Sequence, residues 1–119
     1  MSGSPQLLLS VLIVNWNGGP LLERCMESVH EALAPRLAGR YELVIVDNAS
    51  RDDSITRATA SHGETVLHNT HNVGFGAACN QAAARAGGEF LLLLNPDCEL
   101  RPGSVERCLA ELRREDLPV

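Results

Sequence analysis

Four apolar segments that favour β-strands alternate along the chain with four helical segments, and this alternation constrains the fold more than any other feature. The strand-like segments are LLLSVLIVN (7–15), YELVIVD (41–47), ETVLHN (64–69) and FLLLLN (90–95). The helical segments begin at Pro20, after SRDD (50–53), at Gly74 and at Pro102. This order predicts an α/β fold in which a parallel sheet has helices on both faces and right-handed crossovers.

Local patterns predict three further details. The unbroken apolar run of Phe90–Leu94 is typical of a strand buried on both faces. Pro20 is expected at the first position of its helix. Ser50, three residues before Asp53, is predicted to be an N-cap, with Asp52 and Asp53 as acids of the first turn.

Length and composition predict a globular protein. The 119 residues suffice for one domain, which we place at residues 7–119 after an N-terminal tail of residues 1–6. A hydrophobic share of 45% is too high for a disordered chain. Because no apolar run approaches the roughly 20 residues that span a bilayer, and MSGSPQ lacks a charged leader region, we expect a soluble domain with no transmembrane segment.

Charge and cysteine content exclude several classes of protein. A net charge of -5 without a basic stripe argues against a nucleic-acid partner. The absence of lysine excludes a phosphate-loop lysine, a Schiff-base mechanism and a phosphoacceptor domain that needs a strand-ending lysine. The cysteines form no CxxC pair and no metal-ligand spacing, so we expect reduced thiols and a cytoplasmic location: Cys25, Cys79, Cys98 and Cys108.

Every predicted strand ends in polar residues. These endings are Asn15-Trp16-Asn17, Asp47-Asn48, His68-Asn69 through Asn72, and Asn95-Pro96-Asp97. The carboxyl ends of parallel strands lie along one edge, where such folds bind ligands. Asparagine and aspartate also favour ordinary turns, which is the alternative explanation.

Two aspartates are the main candidates for chemistry. Asp97, with Asn95 two residues earlier, could ligate Mg²⁺ or Mn²⁺ that also binds a diphosphate; a turn aspartate beside Pro96 is the alternative. Asp47 could contact a base or a ribose, or could form an Asx-turn that leads into the second helix.

Three other residues have two interpretations each. Gly74 could let the backbone approach a ligand, or could close the turn between strand and helix. Asn80 could reach back toward the strand ends or could be solvated. Trp16, the single tryptophan, could line a base pocket or pack over the sheet edge.

Four blocks taken together closely resemble family 2 glycosyltransferases of the GT-A fold, and in particular the bacterial rhamnosyltransferase-like branch. They are VLIVNWNG, ELVIVDNASRDDS, HNVGFGAACNQA and FLLLLNPDCELRPG, in order from about Leu9 to Leu112. The resemblance implies a Rossmann-like sheet with strand order 3-2-1-4 and a dTDP- or UDP-linked sugar donor. It also implies Mg²⁺ or Mn²⁺ and inverting transfer to an unknown acceptor, with metal-assisted departure of the diphosphate.

The resemblance also assigns roles by position. Asp47 falls where the family contacts the base or ribose, and Asn15, Trp16 and Asn17 would border the base. Asn72, Gly74 and Asn80 match the block that lines the donor pocket. Asp97 matches the last acid of the D-x-D motif, which holds the metal and the diphosphate, and Asn95 replaces the first acid.

The chain departs from the family in length. The family's general base and most acceptor contacts belong to a second half, so the catalytic base is unknown here and we expect only the donor-binding half. A non-catalytic nucleotide-binding module or an oligomerising fragment is the alternative. The resemblance places the fourth strand at an open edge, where an apolar strand favours pairing, so we predict a homodimer through that edge.

Overall fold

A computed structural model describes residues 6–59 and 64–113, and within them strands and helices alternate as predicted. The strands are β1 (Leu9–Asn15), β2 (Tyr41–Asp47), β3 (Thr65–His68) and β4 (Phe90–Leu93). The helices are α1 (Pro20–Leu37), α2 (Ser54–Thr59), α3 (Phe75–Arg85) and α4 (Ser104–Leu112). Apart from Gln6, the predicted tail lies outside the described residues, so the domain boundary at residue 7 stays a prediction.

The strands form one parallel sheet in the order β3-β2-β1-β4, which confirms the expected topology. Strand β1 pairs with β2 along its whole length, ending with Asn15 opposite Asp47. Strand β4 pairs only with Leu9–Leu12 of β1. The ends of β1 and β2 therefore lie side by side, whereas β4 stops short of them.

Helices cover both faces of the sheet, as predicted. Because side chains alternate along a strand, Val11 and Ile13 of β1 join a core with α1, α2 and α4, whereas Leu12 faces α3. On that second face, Ala78 and Ala82 of α3 are buried against β1 and β2. Their small side chains let the helix backbone lie close to the sheet.

The prediction that β4 is buried on both faces is wrong. Phe90 and Leu92 pack against the larger core, but Leu91 and Leu93 are 47% and 51% exposed. Helix α3 lies over β1 and β2 and leaves the same face of β4, at the edge of the sheet, largely open. A single apolar run could not show this, because burial of an edge strand depends on which element covers it.

The predicted start of α2 is also wrong, whereas α1 begins at Pro20 as expected. Helix α2 begins at Ser54, so Ser50 is not its N-cap, and Asp52 and Asp53 precede the first turn. Asp52 Oδ1 accepts hydrogen bonds from the backbone N (3.1 Å) and the hydroxyl (2.5 Å) of Ser54. The Ser50 oxygen accepts instead from Asn17 N (2.8 Å) and Asn15 Nδ2 (3.2 Å), and its hydroxyl donates to Asp47 Oδ1 (2.7 Å).

Candidate functional site

The polar strand endings leave the sheet at one edge, as the parallel topology requires. Backbone hydrogen bonds extend the pairing of β1, β2 and β3 past the strands: Asn48 N donates to Asn15 O (2.8 Å) and Asn69 N to Asp47 O (2.9 Å). These bonds bring three of the four polar endings into direct contact.

Four buried or partly buried side chains form a polar cluster, here named the Asn15 cluster: Asn15, Asp47, Ser50 and Ser54. Asn15 Nδ2 donates to Asp47 Oδ1 (3.0 Å), Ser54 Oγ (2.9 Å) and Ser50 Oγ (3.2 Å). The Ser50 backbone N donates to Asp47 Oδ2 (3.1 Å), so the Asx-type turn considered for Asp47 is present. The cluster ties the end of β1 to the end of β2 and to the first residue of α2.

Three more hydrogen bonds join the loop after β1 to the loop after β2. Asn17 N donates to Ser50 Oγ (2.8 Å), and Arg51 N donates to Asn17 Oδ1 (2.8 Å). Gly19 N donates to Asp52 Oδ2 (3.0 Å). The hydroxyl and backbone donors around Asp52 lower the pKa of its carboxyl, with the Ser54 hydroxyl as the largest cause.

Two residues of these loops have left-handed backbone conformations that side chains disfavour. Asn17 has φ 52° and Ala49 has φ 65°. Asparagine tolerates this region, but alanine has no side-chain hydrogen bond to offset the strain. The cross-links between the loops hold Ala49 in this conformation, and such held strain is typical of ligand sites.

A second network, centred on Asn48, links the loop after β3 to α3. Asn48 Oδ1 accepts from Val73 N (3.2 Å) and Asn69 Nδ2 (3.0 Å), and Asn48 Nδ2 donates to Gly74 O (3.2 Å). Asn69 also exchanges two side-chain hydrogen bonds with Gln81 of α3, at 2.9 and 3.0 Å. These hydrogen bonds therefore fix the loop after β3 between the end of β2 and helix α3.

Two adjoining clefts open at this edge and share Trp16, Asn17 and Asn72. The first, named the Arg51 cleft, has a volume of about 810 Å³ and also contains Ser50, Asn69 and His71. The second, named the Asp97 cleft, has a volume of about 350 Å³ and also contains Asn48, Phe75 and Asp97. Trp16 is 59% exposed between them, so its ring lines the clefts and does not pack into the core.

The turn of Asn95–Cys98 forms one wall of the Asp97 cleft. It is closed by Cys98 N donating to Asn95 O (2.9 Å), which also accepts from the Cys25 thiol at 3.5 Å. Burial, with smaller effects from the groups around Cys98, raises the pKa of Cys25 to about 12, so the thiol keeps its proton. The Asn95 and Asp97 side chains are both exposed.

The donor set at this turn fits only one kind of metal site. Across residues 6–59 and 64–113, no three His, Cys, Asp or Glu side chains come together as a metal-binding group. One carboxylate facing a cleft suits a Mg²⁺ or Mn²⁺ ion that takes most of its ligands from phosphate oxygens and water. It does not suit a structural site built from protein ligands.

The structure does not bring all the candidate residues together. Trp16, Asn17, Asn72 and Asp97 line the clefts and Asn95 does not, whereas Asn15 and Asp47 are buried, at 0% and 7% exposure, and line neither cleft. The Asn80 side chain is exposed on α3 and makes no hydrogen bond to the other described residues. Gly74, at φ 90°, has the conformation that glycine favours and precedes α3.

Sequence reasoning missed three residues that shape the walls: Asn48, Asn69 and Gln81. The first two belong to the polar strand endings, and that position was the available signal. Gln81 carried no signal except its polarity on an alanine-rich helix, because its partner lies 12 positions away on another element.

Known proteins share both the sequence and the fold. The family described as Glycosyl transferase family 2 matches residues 10–118. An N-acetylglucosaminyl-diphospho-decaprenol L-rhamnosyltransferase of Mycobacterium tuberculosis is 27% identical over 114 residues, covering 86% of this chain and 36% of that protein. The chain spans between 16% and 39% of the length of the curated relatives it matches.

Two solved structures illustrate the likeness in fold. The mannosyltransferase PcManGT of Pyrobaculum calidifontis, in complex with GDP-Man and Mn²⁺, has a TM-score of 0.80 at 24% identity, covering 92% of this chain and 33% of that one. TarS 1-349 of S. aureus, in complex with UDP, has a TM-score of 0.77 at 21% identity, covering 87% and 31%. The fold is that of the GT-A glycosyltransferases. With the family match over most of its length, the chain belongs to glycosyltransferase family 2.

Proposed function

We propose that this chain is the donor-binding part of an inverting glycosyltransferase that moves a sugar from a nucleoside diphosphate to an acceptor. The observation that carries the proposal is the pair of adjoining clefts at the carboxyl ends of the strands, one of which ends at Asp97. Together they offer a flat aromatic surface, amide side chains and a carboxylate within one continuous opening. A nucleotide needs these groups for its base, its ribose and its metal-bound diphosphate.

In this proposal the Arg51 cleft takes the base and ribose, and the Asp97 cleft takes the diphosphate. Trp16 and Asn17 border the base, and the Asp47 carboxylate accepts a hydrogen bond from an N–H group of the base or from a ribose hydroxyl. Asp97 would hold Mg²⁺ or Mn²⁺, with Asn95 as a weaker neutral neighbour. When bound, such a cation stabilises the negative charge that develops on the departing diphosphate.

The block before and within α3 completes the donor pocket in this proposal. Asn72 lines both clefts, and Gly74 turns the chain into α3 beside Asn48. Asn80 has the least support, because its side chain is exposed on the helix. Its contribution would require a sugar or acceptor group that extends beyond the clefts.

The sugar and the base follow from weaker arguments. The rhamnosyltransferase relative favours a rhamnosyl donor, for which the resemblance in sequence implies dTDP or UDP, and one structural neighbour is in complex with UDP whereas another is in complex with GDP-Man. We assign no general base to the described residues. We propose that the general base and the acceptor contacts belong to the part of the longer relatives that this chain does not match.

Calorimetric titration tests the proposal. The chain is titrated with UDP and with dTDP, first with Mn²⁺ and then with EDTA, and the titrations are repeated on Asp97→Ala. We expect metal-dependent binding that weakens at least about tenfold in the variant. Glu99→Ala is the matched control, because Glu99 is an exposed acid two residues from Asp97 that does not line the Asp97 cleft. A folded chain that binds neither nucleotide contradicts the proposal.

We also propose that two copies of the chain pair through β4. Its open edge and the leucines at positions 91 and 93 form an apolar strip, and a groove of about 240 Å³ between β4 and α4 lies beside it. A second β4 has the same length and apolar character and would complete the unpaired backbone. Light scattering should show a dimer that dissociates in Leu91→Lys/Leu93→Lys but not in Ala110→Lys on α4. A monomer at millimolar concentration contradicts this proposal.

The cellular location rests on the cysteines alone. All four are free thiols, which suits the reducing cytoplasm that we propose. No helix among the described residues has the length and hydropathy needed to cross a membrane.

A further inference from the structure

We propose that Asn15 is a positioning residue: it does not touch the donor, and it fixes which oxygen of the Asp47 carboxylate faces the ligand. The inference rests on the proposed function, in which Asp47 reads the nucleoside. Asn15 has 0% exposure, so no ligand in either cleft can reach it, whereas Asp47, which lines neither cleft, keeps 7% exposure through which it would meet a ligand. It lies opposite Asp47 in the β1–β2 register, and both side chains therefore leave the same face of the sheet.

The amide group of Asn15 acts as a donor toward three parts of the fold. Its two N–H bonds serve three acceptors, at 2.9 Å (Ser54 Oγ), 3.0 Å (Asp47 Oδ1) and 3.2 Å (Ser50 Oγ). These acceptors belong to the start of α2, the end of β2 and the turn between them. One side chain thus fixes the position of the carboxylate relative to the loop that walls the Arg51 cleft.

The orientation of the Asn15 amide costs free energy, and an apolar side chain that only filled the same space would avoid this cost. Asn15 Oδ1 is buried and has no hydrogen-bond partner among the described residues. A Cβ at position 18 would lie 2.3 Å from that oxygen, so Gly18 leaves room for it. The reverse orientation would place Oδ1 against the carboxylate of Asp47, and repulsion between two acceptors excludes it. The chain therefore retains a buried unpaired acceptor in order to direct both N–H bonds at the cluster.

The number of hydrogen bonds that the Asp47 carboxylate can still accept determines which ligand groups it can bind. Oδ1 already accepts from Asn15 Nδ2 and the Ser50 hydroxyl, and Oδ2 accepts from Ser50 N. Since each carboxylate oxygen accepts about two hydrogen bonds, one position remains, on Oδ2. The matching ligand group is a single N–H or O–H donor, such as the imide N–H of a uracil or thymine base or one ribose hydroxyl.

A double-mutant cycle in the 119-residue chain tests the coupling. Trp16, the single tryptophan, lines both clefts and supplies a fluorescence signal for titrations with UDP and with Mn²⁺-pyrophosphate. We expect Asn15→Leu to weaken UDP binding about tenfold and to leave pyrophosphate binding unchanged. Combined with Asp47→Asn, it should add less than about twofold to the effect of Asp47→Asn alone.

Two results would overturn the inference. One is equal weakening of UDP and pyrophosphate in Asn15→Leu, which would indicate general damage to the fold. The other is full additivity with Asp47→Asn, which would show that Asn15 acts without Asp47. If Asn15→Leu fails to fold, Asn15→Ser keeps one donor, and the same pattern is expected with a smaller loss of UDP affinity.

Amide hydrogen exchange tests the inference without any nucleotide, and so separates its failure from that of the proposed function. In Asn15→Leu the Ser50 amide, which donates to Asp47 Oδ2, should exchange about tenfold faster. Ser10→Ala is the control, because Ser10 is a buried β1 residue whose hydroxyl bonds to Glu42 away from the clefts. Unchanged Ser50 exchange in Asn15→Leu overturns the inference even if UDP binds to the wild-type chain.

Discussion

The ends of β1, β2 and β3 differ sharply from β4 and the turn that follows it. On the first side, side chains and backbone groups of three connecting segments are joined by hydrogen bonds around Asn15 and Asn48. On the second side, the side chains of Asn95 and Asp97 are exposed and two β4 leucines lie open to solvent. In the proposed function the nucleoside would therefore meet a hydrogen-bonded, preorganised surface, whereas the metal and diphosphate would meet exposed side chains.

The largest expected difference comes from two leucines that lie opposite each other in the β1–β4 register. Leu12 is buried against α3, and Leu93 is half exposed on the same face. We expect Leu12→Ala to lower the free energy of unfolding by about 3 kcal/mol, because it leaves a cavity in the core. Leu93→Ala should cost less than about 1 kcal/mol at a protein concentration too low for the proposed pairing through β4, since little burial is then lost. Urea denaturation measures both, and equal losses would show that β4 is covered in solution.

Two adjacent glycines test how closely the chain just before β4 packs against β1. A Cβ at Gly88 would lie 2.6 Å from Ser10 N and 2.7 Å from the carbonyl carbon of Leu9, and backbone atoms cannot move aside independently. We expect Gly88→Ala to cost about 2 kcal/mol. At Gly87 the nearest atom is 3.6 Å away, on the flexible Leu7 side chain, so Gly87→Ala should change stability by less than about 0.5 kcal/mol. Thermal unfolding compares the pair, and a neutral Gly88→Ala would contradict the packing described.

Two asparagines at strand endings compare the two sides directly. Asn48 is buried and makes three side-chain hydrogen bonds, so Asn48→Ala leaves the Val73 N–H without a partner, whereas the Gly74 carbonyl still accepts from Ala78 N. The expected loss is about 1 to 2 kcal/mol. Asn95→Ala, at an exposed position, should cost less than about 0.5 kcal/mol. Similar losses in denaturant titrations would show that the β4 ending is as ordered as the β2 ending.

The smallest expected effect is the pH dependence that Asp52 contributes. Its pKa in the folded chain is lowered from 3.8, so the folded state favours the ionised carboxylate. This contribution is therefore present above about pH 4 and is lost as the pH falls through the lowered pKa. The stability of Asp52→Asn should fall less between pH 4 and pH 2 than that of the wild-type chain. A steeper fall in the variant would reverse the sign and contradict the hydrogen bonds to Ser54 and Gly19.

The sequence predicted the helices and strands well, because the spacing of apolar residues within a segment depends on the secondary structure of that segment alone. The bounds of β2 and the start of α1 at Pro20 were confirmed, and errors at the other ends stayed within a few residues. The misplaced start of α2 has a specific cause. Ser50 has the chemistry of a cap, but its oxygen accepts from Asn17 N and Asn15 Nδ2, and local propensity cannot anticipate donors from a distant segment of the chain.

The site was predictable in place but not in detail. The alternation of strands and helices implies a parallel sheet, and a parallel sheet puts all four polar endings at one edge. The sequence alone therefore located the candidate site. It could not separate side chains that face the clefts, such as Trp16 and Asp97, from Asn15, which is buried beneath them. Both kinds are polar residues that follow an apolar run.

By itself, then, the amino-acid sequence determined the α/β class, the family and the edge that carries the candidate site, because these depend on periodicity and on the order of motifs. Only the tertiary structure decided that Asn15 and Asp47 share one buried cluster and that Leu91 and Leu93 remain exposed. The physical reason is the same in both cases. A side chain's partners and its burial depend on which element packs over it, and that element is distant in sequence.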